Sequence, residues 1–101
     1  QAKIIEEAGA SLLLLEAMPP ESSEIIAKEC KIPVMSIGAG KCDGSLLIFH
    51  DLLGLFLDFK PKFAKQYING AELLTNALLE YKKEVTEERF PSEQYYYKVA
   101  K

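Results

Sequence analysis

"SLLLLEAMPP", residues 11–20, runs four leucines straight into a carboxylate, Glu16, with a proline pair close behind. Burying an unpaired charge is among the costliest things a protein can do. An acid at the end of the most apolar run therefore needs a reason. Leu12–Leu15 is short and fenced by Gly9 and by Pro19-Pro20, which favours a strand buried on both faces over a helix.

Working outward, Ile4, Ile5 and Ala8 sit at helical spacing, and Gly9 can close that helix in the left-handed region. After the strand, Pro20 suits a first helical position. Glu21 and Glu24 sit near the helix's positive end, with Lys28 and Lys31 at its other end. "ESSEIIAKEC" thus continues as a helix to about Cys30. "IPVMSIGAG" repeats the theme, a strand over Pro33–Ile37 opening into Gly38-Ala39-Gly40. A third apolar run, Leu46–Phe49, ends at His50-Asp51, with Asp51 expected to cap a short "LLGLF" helix. The helix between the first two strands makes them a parallel βαβ pair, and the class is α/β. The link from Gly38 to Ser45 is short for a full crossover.

Beyond Phe59 the character changes. "KPKFAKQY" reads as a short helix. Gly70–Glu88 reads as a longer one with Leu73, Leu74, Ala77, Leu78, Tyr81 and Val85 on one stripe, a face that should pack against something. On its outer face Glu80 and Lys83 can pair. The tail "FPSEQYYYKVAK" has the three tyrosines of a docking or interface segment.

The 101 residues are 49% apolar and 27% charged, with a net charge of −3. That describes one modest globular core and no disorder. The twelve basic residues are spread along the chain, so nucleic acid is not an expected partner. No apolar run approaches the roughly 18 residues of a membrane span, and "QAKIIEEAGA" lacks the grammar of a signal peptide. The expected location is cytoplasmic, away from any membrane. Cys30 and Cys42 form a single widely spaced pair and read as reduced thiols. The chain opens without Met, inside a helix, as a piece of something longer would.

In parallel α/β folds function gathers at the carboxyl ends of the strands, and Glu16 stands at such an end. Apolar neighbours would desolvate it and make it a better proton acceptor. It could equally cap the next helix or pair with a lysine on a neighbouring loop. Gly38-Ala39-Gly40-Lys41 suggests an anion nest, but Met35 and Cys42 stand where a P-loop needs glycine and Ser or Thr. A tight turn that lets the backbone approach a ligand or another strand is the preferred reading. His50 is the only histidine, so no multi-histidine metal centre can be built. No G-x-S-x-G elbow is present. His50 and Asp51 read as structural.

Read together, "AGASLLLLEAMPPE", "IPVMSIGAGKCDGSLLIFHDLLGLF" and "KPKFAKQY", followed by an amphipathic helix and "FPSE", resemble the C-terminal portion of the ketopantoate hydroxymethyltransferase family. The likeness runs in unbroken order from about Ala2 to Glu93. The family usually carries Gly where Ser36 stands and Gln where Ser45 stands, and "YYYKVAK" has no counterpart.

The resemblance implies the last part of a (β/α)8 TIM barrel, three parallel strands plus C-terminal helices. Residues 1–58 would hold the last βα units, and residues 59–101 a helical extension and tail. It implies hydroxymethyl transfer from 5,10-methylenetetrahydrofolate to the α-keto acid 3-methyl-2-oxobutanoate, with Mg2+ polarising the keto carbonyl and Glu16 taking the C3 proton. The metal ligands would lie on earlier strands, so this chain holds none and should be inactive alone. A complete barrel takes about 250 residues, so the chain's strand edges would await the rest. A homo-oligomer is expected. Two alternatives stay open: a packing module without chemistry, and another barrel enzyme that handles α-keto acids without folate.

Overall fold

The computed structural model describes residues 1–100. A short helix α1, Ala2–Glu7, ends at Ala8, and Gly9 then takes a φ of +101°. This is the helix stop expected of glycine, which meets no Cβ penalty at positive φ. Strand β1, Leu13–Glu16, follows, then helix α2, Pro20–Glu29, with Pro20 in its first turn and Glu21 near the positive end. Strand β2 spans Val34–Ile37 and pairs parallel with β1, Leu13 beside Val34 and Glu16 beside Ile37.

β1 is not buried on both faces. Leu13 and Leu15 are buried while Leu14 and Glu16 are exposed, the alternation of a strand covered on one side. The core explains it: Leu13, Leu15, Val34 and Ala39 pack with Ala2 of α1 and with Ile26 and Ala27 of α2. The helices therefore cover one face; among the described residues the other is only partly covered, with Leu14 50% exposed while Ile37, in register with Glu16, is 8% exposed.

The third strand also departs from expectation. β3 is only Gly44–Ser45, parallel to β2 on its far side. Leu46–Ile48 carries no regular structure, and Phe49 opens helix α3, Phe49–Leu52. Asp43 sets this. Its N–H donates to the Val34 carbonyl at 2.9 Å while its carboxylate accepts from the Val34 N–H at 2.8 Å, and the Leu46 N–H donates to the Ser36 carbonyl. The edge groups of β2 are thus spent on residues 43–46, and the chain then peels away. Asp51 is not a cap; Ile48 holds that position and Asp51 lies inside α3.

Lys60–Tyr67 forms no helix, only a turn at Lys62-Phe63. Pro61 has no N–H to give and restricts Lys60 to extended backbone. Helix α4, Gly70–Thr86, is close to its expected length. Its start is tied to α3: the Gly70 N–H donates to the Leu53 carbonyl and the Ala71 N–H to that of Gly54, each within 3.0 Å. Most of the apolar stripe is uncovered among the described residues, Leu73, Leu74, Leu78 and Val85 being between 44% and 68% exposed. Glu80 pairs not with Lys83 but with Arg89, at 3.8 Å. Arg89 also holds Glu84 and Glu87, and Phe90 stacks between Tyr81 and Tyr95, so residues 89–95 fold back on α4.

The chain is extended, 70 × 36 × 18 Å with a radius of gyration of 23.3 Å. A compact domain of this length would have about 13 Å. The difference means that much of the apolar surface lies open.

Candidate functional site

Parallel strands leave their polar ends on one rim, and β1 and β2 do so here. Glu16 is the last residue of β1 and its backbone lies beside Ile37, the last of β2. By strand alternation its side chain shares a face with Leu14, opposite the helix-covered face of Leu13 and Leu15. The carboxylate is exposed. It stands on the less covered face of the sheet, in register with buried Ile37.

The backbone after Glu16 is fixed by its neighbours. Ala17 adopts a φ of +49°, a conformation costing about 1–2 kcal/mol for a residue with a Cβ. Its N–H donates to the Ile37 carbonyl at 3.0 Å, so the pairing of β1 with β2 continues one residue past Glu16. Across the rim, Gly38 and Gly40 have φ of +64° and +73°. A Cβ on Gly40 would lie 2.9 Å from Pro20 Cβ and 3.1 Å from Pro20 Cα; one on Gly38 would lie 2.5 Å from Phe63 Cδ1. The glycine turn is a close approach, made to the start of α2 and to the 60–67 segment rather than to another strand. Buried Ser36 secures it, its Oγ donating to the Gly40 carbonyl at 2.7 Å.

The other candidates lie elsewhere. Exposed His50 stands edge-on to Phe49 within α3, alongside Asp51. Cys30 and Cys42 are both free and both border the core. Among the described residues no three His, Cys, Asp or Glu side chains converge as a metal site would require, so the residues here do not fit a divalent cation on their own. No helix among them is long and apolar enough to cross a membrane.

Glu6 is a residue that sequence reasoning missed. Its carboxylate accepts from Lys3 Nζ at 2.7 Å and from the backbone N–H groups of Lys31 and Ile32. The Lys3 hydrogen bond first, then the Lys31 N–H, hold its pKa below the ordinary carboxylate range. Glu6 thereby ties α1 to the loop that leads into β2. A signal existed: Glu6 and Glu7 end a helix, where the dipole disfavours acids.

Parallel βα units that gather an acid, a glycine turn and a helix start at one rim define the class: an α/β chain of the kind that carries enzyme sites on its strand ends. The family model described as ketopantoate hydroxymethyltransferase matches residues 1–93. The chain is 51% identical over 98 residues to the 3-methyl-2-oxobutanoate hydroxymethyltransferase of Alkaliphilus metalliredigens, covering 97% of this chain and 35% of that protein. It is 47% identical to that of Nitratiruptor sp., covering 95% of this chain and 38% of the relative. The Clostridium kluyveri protein of the same name is 48% identical, at 97% and 35% coverage. The chain belongs to the ketopantoate hydroxymethyltransferase family, a family of transferase enzymes. It spans just over a third of the length of these relatives.

Proposed function

We propose that this chain is the proton-accepting part of a hydroxymethyltransferase that moves a one-carbon unit from 5,10-methylenetetrahydrofolate to 3-methyl-2-oxobutanoate, giving 2-dehydropantoate. Upstream βα units complete a (β/α)8 barrel, residues 1–58 supplying its last units and residues 59–101 an outer extension and tail. One observation carries the reading. Glu16 ends β1 on the face opposite α1 and α2, and a closed barrel keeps its helices outside, so that face would turn toward the barrel's mouth.

The Glu16 carboxylate takes the proton from C3 of the keto acid, and the C–H electron pair becomes the enolate double bond. Water adds to the methylene carbon of the folate and both of its C–N bonds break, the two nitrogens taking the water's protons to leave tetrahydrofolate and a one-carbon unit at the formaldehyde level. C3 of the enolate adds to that carbon, and the oxygen takes back the proton held by Glu16 to become the hydroxyl of the product. The described residues of this chain hold no cluster that fits magnesium, and we assign its ligands to the other βα units. The completed enzyme is a cytoplasmic homo-oligomer in this reading.

The test is turnover of 3-methyl-2-oxobutanoate by the completed enzyme with and without methylenetetrahydrofolate. Product that appears only with the folate supports the reading. Turnover of the keto acid without folate identifies a different α-keto-acid enzyme and overturns it. A second reading, a packing module without chemistry, draws on the exposed α4 stripe and on the exposed Tyr95, Tyr96 and Tyr97. A tail-dependent oligomer that never gains activity with the upstream units would favour it.

A further inference from the structure

Resting on that functional reading, we propose that Lys62 and Lys65 form a carboxylate subsite on the rim, which holds the glutamate tail of the pteroylglutamate co-substrate. From Phe59 to Ala71 the sequence has no acid, yet it carries Lys60, Lys62 and Lys65. All three are exposed. The ion pairs of the chain join Lys3 to Glu6, Lys28 to Glu24, and Arg89 to Glu80, Glu84 and Glu87. Among the described residues, none involves these three lysines.

The segment is anchored to the rim. Ala64 is 3% exposed, and the Phe63 ring is seated on Gly38 so closely that no side chain could replace its hydrogen. The Tyr67 N–H donates to the Leu52 carbonyl at 2.8 Å. Gly38 directly follows Ile37, whose backbone partner in the sheet is Glu16. Lys62 thus flanks a ring docked one residue beyond the strand end that faces the proton acceptor. Lys65 Nζ lies 4.8 Å from the centroid of the half-exposed Tyr67 ring, a contact that orients an ammonium without neutralising it.

The chemistry selects the ligand. Ammonium groups are compact charges with three donors each, suited to carboxylates. Lys62 and Lys65 stand three residues apart on an anchored loop, so a ligand with several carboxylates can engage both. Against a chain of net charge −3, a cationic stretch beside the site raises the local concentration of anions. A pteroylglutamate has its reacting ring at one end and its carboxylates at the other, so the tail can rest on the rim while the ring reaches inward. The keto acid has a single carboxylate next to the reacting carbon and cannot span both places.

The experiment uses the completed enzyme and methylenetetrahydrofolate with one or three glutamates. With Lys62→Gln/Lys65→Gln, KM for the triglutamate should rise roughly fivefold, as two exposed ion pairs imply, and more than KM for the monoglutamate. Lys62→Arg/Lys65→Arg should keep the triglutamate preference. An unchanged triglutamate KM in the glutamine variant overturns the subsite, as does an arginine variant that loses as much as the glutamine one. Exchange of the C3 proton by the unsubstituted enzyme without folate reports separately. Its absence overturns the functional reading; its presence with an unchanged KM overturns the subsite alone.

Discussion

At Gly40 the φ of +73° and the closeness of Pro20 leave no place for a side chain, because the nearest obstacles include backbone rather than only a flexible tip. Gly40→Ala should destabilise the completed enzyme by about 2–3 kcal/mol, combining positive-φ strain with overpacking; chemical denaturation measures it. Glu6 acts through charge. Its pKa is lowered, by the Lys3 hydrogen bond first, so its contribution is present above the unfolded-state pKa of about 4.3 and is lost as pH falls through the lower folded-state value. Denaturation midpoints of the completed enzyme should therefore fall on acidification below about pH 4, and Glu6→Gln should flatten that fall; identical pH profiles would contradict it. Glu16 was legible as a candidate because an acid after an apolar run is anomalous in itself. Asp43 and Ser36 were not legible, since their partners are backbone groups of β2 and of the glycine turn, which no local pattern announces.

Among the elements, β1, α2, β2 and α4 could be read from the sequence because each is bounded by its own stop signals: Gly9, the proline pair, the glycine turn and Gly70. β3 was misplaced, as propensity favoured Leu46–Phe49 while the Asp43 bonds to Val34 closed the ladder earlier. The 60–67 segment was misread for a similar reason, since its shape depends on Phe63 meeting Gly38. The α4 stripe makes its own prediction. Leu74 and Leu78 are 56% and 68% exposed, so Leu→Ser changes there should scarcely alter the helix content of the chain alone. In the completed enzyme each should cost about 2 kcal/mol or more if the stripe is covered. Circular dichroism of the chain and thermal melting of the enzyme compare the two, and equal small effects would mean the stripe stays bare.

Across the whole molecule, the buried apolar residues are few, Leu13, Leu15, Val34, Ile37, Ala39 and Ala64, set against a large exposed apolar surface. Such a core is too small to offset the chain entropy of 101 residues. The chain alone should bind an apolar dye and melt without a sharp transition, whereas mixing it with the upstream units should give a cooperative melt; a sharp melt of the chain alone would contradict this. The same exposure explains why the one-sided burial of β1 could not be read in advance: four leucines in a row look alike whether one face is covered or both. The central claim is that Glu16 removes the C3 proton, and the direct measurement is deuterium exchange at C3 of 3-methyl-2-oxobutanoate, followed by NMR in the completed enzyme. The Glu16→Gln variant should lose that exchange while still binding the keto acid. Exchange at the unsubstituted rate in the variant would contradict the account.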